Sequence, residues 1–405
     1  MTTKKEILRR KGDCDVLIEE KGEKIGIEFL EILEQPTAIS EEDVKTIVNQ
    51  AVTHYKISEL NIAIQITVKY YGAPDWVVAA RAETAFRSFL NLKKKAGSNL
   101  KFALPKLQIA PENSEKLRLR RSMMYIPGSS PYMLGKACGS KSDSIIFDLE
   151  DSVATNQKEK ARILIRHASQ NLKFTGQEIL VRINEFPMGE KDLEELDLRY
   201  IHGILIPKCQ SPKTIEKLEK LMEQNLNTYS TNLNESNVFI HPLIETALGV
   251  EYAFPICECS ERIATIAMGL EDYCADCGME RSKDDQESQW ALSRIRNAAV
   301  ATRVQNVSSV FSKIHDLEQL EKIAIRDKKL GYQGKRAIHP KQIPVINRVF
   351  LPSQEEIEWA TKVVKAYEES QKKGLGAISI DGQMIDVPVV KRAMRVVKLA
   401  EEVQK

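Results

Sequence analysis

Residues 144–151 read Ser-Ile-Ile-Phe-Asp-Leu-Glu-Asp, a short apolar run that ends abruptly in three carboxylic acids. An apolar run without alternation is typical of a strand buried on both faces of a parallel sheet. Seven more such runs, each followed by a helical pattern, lie at residues 123–126, 179–183, 203–206, 238–244, 263–268, 307–311 and 336–338. Eight buried strands that alternate with helices predict an α/β fold, a closed (β/α)8 TIM barrel whose strand ends face the active site.

The sequence on either side of the barrel predicts two smaller parts. The N-terminal part has two strand-like runs, residues 15–18 and 61–69, and a capping box at Ser40 that begins a helix between them. After the barrel, a capping box at Ser353 begins another helix. The predicted organisation is a small α+β domain at residues 1–95, a linker at 96–116, the barrel at 117–350 and a C-terminal helical extension at 351–405.

Composition and charge exclude several classes of function. The 405-residue chain has 59 basic and 57 acidic residues, so its net charge of +2 predicts no large field for binding nucleic acid or a membrane surface. The N-terminus lacks the apolar run of a signal peptide, and a cytoplasmic enzyme is expected.

The seven cysteines indicate reduced thiols. The spacing of Cys257, Cys259, Cys274 and Cys277 is also used by zinc or iron–sulfur sites, and that alternative stays open.

Charged and polar side chains follow five of the predicted strands. The strand ends are Asp148-Leu149-Glu150-Asp151, Arg182-Ile183-Asn184, Pro207-Lys208, Glu245-Thr246 and Glu271-Asp272 with Asp276. Carboxylates that converge on one barrel mouth repel one another unless a cation lies among them, and all-oxygen ligation favours Mg²⁺. Arg182 is suited to bind a substrate carboxylate or a developing oxyanion, although a structural ion pair with one of these acids is the alternative.

These motifs, taken in order, resemble the citrate lyase β-subunit family of the HpcH/HpaI aldolase superfamily, which includes malyl- and citramalyl-thioester lyases. The resemblance covers roughly residues 118–400. It rests on Arg120-Arg121-Ser122-Met123 through Pro127-Gly128, Asp148-Leu149-Glu150-Asp151-Ser152-Val153, Val181-Arg182-Ile183-Asn184, Ile244-Glu245-Thr246, Gly269-Leu270-Glu271-Asp272, Ala337-Ile338-His339-Pro340 and Asp381-Gly382-Gln383-Met384-Ile385-Asp386-Val387-Pro388.

The resemblance implies a role for each matching residue. Glu245 and Asp272 would bind Mg²⁺ directly, and Arg182 would contact the substrate and the thioester oxygen. Asp148, Glu150 and Asp151 would hold metal-bound water. Asp386 would be the acid or base and would reach into the barrel of a neighbouring protomer, so a homo-oligomer, a trimer or a hexamer, is expected. Arg121 and Lys136 would contact the phosphates of the thioester carrier.

The implied reaction is a retro-Claisen cleavage. Mg²⁺ would chelate a carboxylate and the adjacent hydroxyl of a citryl, citramalyl or malyl thioester, and a carboxylate would remove the hydroxyl proton. The products would be an acetyl-type thioester and a 2-oxoacid. The alternative from another class is a non-catalytic assembly protein that scaffolds a lyase complex.

Residues 1–95 resemble the acyl carrier subunit of citrate lyase through Asp15-Val16-Leu17-Ile18 and Ala79-Ala80-Arg81-Ala82-Glu83. Asp13 stands where that family carries its prosthetic group on a serine, and a carboxylate cannot take the phosphodiester link. The thioester is therefore expected either on free coenzyme A or on a separate carrier, with citrate lyase-type partner subunits. A second departure is Ser308-Ser309, where the family usually has an acidic residue.

Overall fold

Eight parallel strands form a closed barrel in which each strand pairs with the next and the last pairs with the first. The strands are β1 Ser122–Pro127, β2 Ser144–Asp148, β3 Glu178–Arg182, β4 Gly203–Ile206, β5 Phe239–Ile244, β6 Thr265–Met268, β7 Gln305–Ser308 and β8 Gly334–Ala337. Each strand overlaps a run predicted from the sequence. The (β/α)8 barrel is therefore confirmed.

The computed structural model describes most of the chain after residue 117. The described residues are 116, 118–233, 236–372, 378–380 and 383–404, with N-terminal segments at 8–9, 15–20, 23–28, 31–32, 63–66, 76–77, 80 and 101–102. In this part of the chain no helix is both long enough and apolar enough to cross a membrane.

Helices pack around the outside of the barrel. They are α1 Pro131–Ala137, α2 Lys158–Asn171, α3 Met188–Glu195, α4 Pro212–Asn227, α5 Ala247–Glu251, α6 Ala253–Glu258, α7 Leu270–Asp276, α8 Gln289–Thr302, α9 Leu317–Lys329 and α10 Ile343–Val349. In α4, Ile215, Leu218, Met222 and Leu226 recur at three- and four-residue spacing and are all buried. This spacing places one apolar stripe against the strands.

The barrel has an inner and an outer apolar layer. The inner layer is small, and its side chains come from seven of the strands: Met123, Ile146, Leu180, Leu205, Leu243, Ala267 and Val307. The outer and larger core lies between the strands and the surrounding helices. Because the inner layer fills the barrel, ligands have access only at its ends.

The register of the strands decides which polar side chains meet. Asp148 pairs with Arg182 across β2 and β3, and Arg336 pairs with Met123 across β8 and β1. Neighbouring residues at the same level of a parallel sheet point to the same face. Asp148 and Arg182 therefore lie side by side at the C-terminal end of the barrel.

The C-terminal extension is confirmed and contains a hairpin that was not predicted. It consists of α11 Gln354–Lys372, strands β9 Ile378–Ile380 and β10 Gln383–Ile385, and α12 Val387–Gln404. The capping box is present, because Glu356 N–H donates to Ser353 Oγ and Ser353 N–H donates to Glu356 Oε2. The extension has an apolar core of its own, separate from both barrel layers.

The N-terminal segments include a four-stranded sheet. Its strands are Asp15–Glu20, Glu23–Glu28, Ala63–Ile66 and Lys101–Phe102, and two of them overlap the predicted runs. The predicted helix at Ser40, the substitution at Asp13 and most of the linker lie outside the described residues. The domain boundaries and the carrier-like N-terminal domain stay predictions.

Candidate active site

Arg182, the last residue of β3, contacts three carboxylates, one at the end of β2 and two just after it. Its Nε and Nη2 donate to the two oxygens of Asp148, each at 2.7 Å. Its Nη1 donates to Asp151 Oδ2 at 3.0 Å and lies 2.7 Å from Glu150 Oε2. Four of the predicted site residues thus meet at the C-terminal mouth of the barrel. Arg182 is engaged there in an ion-pair network, the alternative that the sequence had left open.

The loop that carries these acids is held in place by local hydrogen bonds. Asp148 accepts the Glu150 N–H at 2.9 Å and the Ser152 N–H at 3.1 Å. Lys158 Nζ donates to the carbonyl oxygens of Leu149 and Glu150, both at 2.6 Å. Burial raises the pKa of Asp148, but the hydrogen bonds from Arg182 and Ser152 outweigh it and hold that pKa below its usual range. Asp148 is therefore ionised and rigid.

Glu150 is the carboxylate that this network satisfies least. It is 8% exposed, and its Oε2 lacks a hydrogen-bond partner among the described residues despite its closeness to Arg182. Burial raises its pKa to about 8, and the charges of Asp151, Glu245 and Asp148 contribute to the rise. Glu150 Oε2 is thus a buried oxygen with an ion-pair contact to Arg182 but no hydrogen bond of good geometry.

Glu245 follows β5 on the other side of the mouth. It is 2% exposed, and its Oε2 accepts the backbone N–H of Lys208 at 2.8 Å. Lys208 has a φ of 46°, a left-handed conformation that directs this N–H toward the carboxylate. Burial raises the pKa of Glu245 to about 7, and the charge of Asp272, in the first turn of α7, adds to the effect.

Gly269 lets the turn between β6 and α7 approach Glu245 closely. A Cβ at this position would overlap Glu245 Oε1 and would lie 2.8 Å from its Cγ. The glycine connects β6 to α7, which carries Asp272. Gly269 thus lies against Glu245 at the start of the helix that carries Asp272. The role of the two acids as metal ligands stays a prediction.

Two residues below the carboxylates were not predicted as part of the site. The Tyr125 ring packs against Arg182, whose Cζ lies 4.9 Å from the ring centroid, and the Tyr125 hydroxyl accepts from Arg336 Nη1 at 3.2 Å. Arg336 lies on β8 and is only 1% exposed. The signal in the sequence that could have identified Arg336 was its charge, because it lies in a run that was predicted to be a buried strand.

The structure does not bring Arg121 to this mouth. Arg121 precedes β1, so the six-residue strand, about 20 Å long, separates it from the C-terminal end. Its guanidinium donates to both oxygens of Asp143, which lies just before β2. The predicted contact of Arg121 with the carrier phosphates stays a prediction.

Lys136 and Asp386 also lie outside the carboxylate network. Lys136 is exposed near the end of α1, and its Nζ lies 4.3 Å from the Tyr132 ring centroid. Asp386 precedes α12 and accepts the Val389 N–H at 3.3 Å, which makes it the N-cap of that helix. Neither contact tests the role expected from the resemblance.

Other polar residues near the strand ends have structural contacts. Asn184 is held by Asp192, Asp276 accepts the Ala247 N–H, and His339 Nδ1 accepts the Lys341 N–H. In and after β7, Ser308 Oγ donates to Asp327 Oδ2, and Ser309 Oγ donates to the Met268 carbonyl. These serines contribute hydrogen bonds between elements of the barrel, where the family pattern would place an acid.

Comparison with known proteins identifies the family. The family model described as HpcH/HpaI aldolase/citrate lyase matches residues 121–340. The chain belongs to this family. The citrate lyase subunit beta of Leuconostoc mesenteroides subsp. cremoris is 37% identical over 70% of this chain and 94% of that protein. The mitochondrial citramalyl-CoA lyase of Rattus norvegicus is 31% identical over 70% of this chain and 87% of that protein.

A solved structure of the family supports the same assignment. It is the protein CitE of Mycobacterium tuberculosis in complex with magnesium, acetoacetate and coenzyme A, with 27% identity and a TM-score of 0.57. The match covers 69% of this chain and 98% of that one. The prediction that this protein is a lyase is confirmed by its family. The family match begins at the barrel, so residues 1–120 lie outside it.

Proposed function

We propose that the protein is a Mg²⁺-dependent lyase that cleaves a citryl, citramalyl or malyl thioester to an acetyl-type thioester and a 2-oxoacid. The observation that carries this proposal is the crowding of buried carboxylates at the barrel mouth. Glu150 and Glu245 are both almost inaccessible, and burial together with neighbouring acids raises both pKa values. A bound divalent cation would remove this repulsion.

Among the described residues, no group of three or more acidic, histidine or cysteine side chains already has the arrangement of a metal site. The proposal of magnesium rests on the charge and the oxygen atoms of the acids at the mouth. The hydrogen bond that the structure describes for Glu245 is on Oε2, so its Oε1 remains for a metal. Glu150 Oε2 lies 2.7 Å from Arg182 Nη1 and would exchange this contact for metal-bound water. Glu245 and Asp272 would be the direct ligands, and Asp148, Glu150 and Asp151 would bind metal-bound water. The related CitE structure contains magnesium and coenzyme A, which supports the same assignment here.

When bound, Mg²⁺ would lower the pKa of the substrate hydroxyl and hold the carboxylate beside it. A carboxylate of the protein takes the hydroxyl proton as the bond between the carbinol carbon and the thioester α-carbon breaks. The bonding electrons pass to the thioester to give an enolate whose oxygen would lie opposite Arg182, and the α-carbon of this enolate then takes a proton to give the acetyl-type thioester. The Arg182 contact to Asp151, a side chain that is 65% exposed, is the one that a substrate oxygen would most easily replace.

Asp386 is proposed as the acid or base, supplied by a neighbouring protomer. Within one chain it lies at the start of α12, in an extension with its own core. A module that packs on itself keeps its internal contacts when it rests on another subunit. Lys136, exposed on α1, and Arg121 are the proposed contacts for the phosphates of the thioester carrier.

A coupled assay tests the proposed reaction. The purified full chain would be incubated with Mg²⁺ and citryl-, citramalyl- or malyl-coenzyme A, with and without a chelator. Cleavage of at least one thioester that the chelator abolishes is the expected result, and it would identify free coenzyme A as the carrier. Cleavage that is insensitive to the chelator would contradict the metal role, and no cleavage of any thioester would favour the non-catalytic assembly protein.

The raised carboxyl pKa values predict an unusual pH dependence of stability. Glu150 and Glu245 have folded pKa values of about 8 and about 7, against about 4.5 when unfolded. Between about pH 4.5 and 8 the folded protein therefore binds more protons than the unfolded chain. The stabilisation from this proton binding is fully present below about pH 4.5 and is lost as the pH rises to about 8. Urea unfolding without metal should show the free energy of unfolding falling between about pH 5 and 8, and saturating Mg²⁺ should reduce the fall.

The matched variant for this experiment is Glu150→Gln, which removes the group with the larger pKa rise. Its metal-free stability should change less with pH over the same range than that of the wild type. Equal slopes in the two proteins would show that Glu150 does not retain a proton in the folded state.

A further inference from the structure

Two buried arginines of the barrel, Arg182 and Arg120, bind a carboxylate in the same way. Arg182 presents its Nε and Nη2 edge to both oxygens of Asp148. At the other end of the barrel, Arg120 presents the same edge to both oxygens of Glu178, at 2.7 and 2.6 Å. This planar edge matches a carboxylate with two parallel hydrogen bonds.

Arg336 is as buried as these two, but its corresponding edge has no carboxylate. Its Nη1 donates to the Tyr125 hydroxyl, while Nε and Nη2 lack hydrogen-bond partners among the described residues. Its charge interacts with Tyr125, Glu245 and Arg182 and also with His241 on β5, and its head group contacts the hydroxyl of Tyr125, whose ring packs against Arg182. Arg336 is therefore the guanidinium below the mouth whose bidentate edge remains for a ligand.

A buried cation without a hydrogen-bonded anion is costly. Removing a charged group from water without a partner destabilises the folded state far more than burying an apolar side chain of similar size. Met or Leu would fill the same space inside an apolar layer of the barrel. The retention of Arg336 is thus better explained by a ligand that supplies the missing anion than by packing.

The shape of the proposed substrate directs one group toward Arg336. The carbinol carbon carries four substituents. If its carboxylate and hydroxyl were held at the rim by a cation on Glu245 and Asp272, the arm that carries the thioester would leave through the open mouth. The fourth substituent would then point down into the barrel, toward Tyr125 and Arg336.

We propose that Arg336 forms a carboxylate subsite that makes the enzyme prefer substrates whose fourth substituent is a carboxymethyl group over those with a methyl group or hydrogen. The carboxylate of that substituent accepts two hydrogen bonds from Nε and Nη2 of Arg336, and the Tyr125 hydroxyl lies beside it. This inference rests on the proposed function. It assigns specificity to a residue on β8 that neither the strand-end pattern nor the metal site includes.

Binding of two stable 2-hydroxy acids tests the subsite without turnover. Malate and lactate differ by one carboxylate, and calorimetry with the full chain and a fixed Mg²⁺ concentration would give both dissociation constants. The wild type should bind malate roughly 10- to 100-fold more tightly than lactate, the range expected for charge-assisted hydrogen bonds. In Arg336→Met the ratio should approach that of free Mg²⁺, and Arg336→Lys should be intermediate.

Two further measurements separate recognition from a structural role. Arg336→Met should be at least as stable as the wild type when ligand is absent, because it removes an unpaired buried charge. Arg348→Met, which removes an exposed arginine on α10, should leave the malate-to-lactate ratio unchanged. An unaltered ratio in Arg336→Met, or an equal loss for both ligands with reduced stability, would overturn the proposal.

Thioester kinetics distinguish failure of this inference from failure of the proposed function. If the wild type cleaves thioesters but Arg336→Met keeps the same ratio of kcat/KM for citryl- and citramalyl-coenzyme A, the lyase stands and the subsite falls. If no thioester is cleaved, yet the preference for malate depends on Arg336, the subsite stands and the lyase assignment falls.

Discussion

Replacement of Glu245 with glutamine is expected to lower Mg²⁺-dependent kcat/KM for thioester cleavage by about 10²- to 10⁴-fold, equivalent to several kcal/mol of transition-state stabilisation. The side chain keeps its shape and its hydrogen bond from the Lys208 N–H, but it loses the negative charge that a divalent cation needs. Steady-state kinetics over a range of Mg²⁺ concentrations would show whether added metal restores part of the rate.

A steric variant tests the same site without changing its charge. Gly269→Ala places a Cβ against Glu245 and should displace the carboxylate, with weaker Mg²⁺ binding as a result. Gly135→Ala is the matched control, because a Cβ there meets no atom within 4 Å. Wild-type metal affinity in both Glu245→Gln and Gly269→Ala would rule out Glu245 as a ligand.

Replacement of Arg182 with methionine should reduce the free energy of unfolding by about 3–5 kcal/mol at neutral pH, the usual effect of removing one partner from a buried ion pair. Asp148 would lose two 2.7 Å hydrogen bonds, and Glu150 would lose its nearest cation. Urea denaturation monitored by circular dichroism would measure the loss, and thioester cleavage should be abolished as well.

The pH dependence of this deficit distinguishes an electrostatic cause from a packing defect. Asp148 has a folded pKa below its ordinary value, so its stabilising contribution is present above that ordinary value and is lost as the pH falls through the folded one. In Arg182→Met the buried acids can take up protons at mild acidity, so the deficit should be smaller near pH 5 than near pH 7. A deficit that does not change with pH would indicate lost packing.

The control for Arg182→Met is Arg199→Met. Arg199 also binds an aspartate, Asp197, through Nε and Nη2, but its side chain is 34% exposed. Partly exposed ion pairs contribute about 1 kcal/mol or less. A similar loss of stability in the two variants would show that burial does not set the strength of the Arg182 network.

The amino-acid sequence by itself determined the barrel and the position of its acidic mouth. Residues 145–147 and 203–206 are apolar on both faces, which suits a strand covered by helices outside and by other strands inside. Because parallel strands end at the same edge, the acids after β2 and β5 had to face one another. These conclusions require only local patterns, and the structure confirms the fold in each strand.

Only the tertiary structure decided how the charges pair. Arg121, Arg182 and Arg336 all lie in or beside strands, yet the first binds Asp143 away from the mouth, the second binds three acids, and the third keeps an unpaired edge. Arg336 meets Tyr125 across 211 residues of sequence because closure of the barrel brings β8 against β1. Charges act through space and not along the chain, so their partners depend on register and closure, which no local pattern contains.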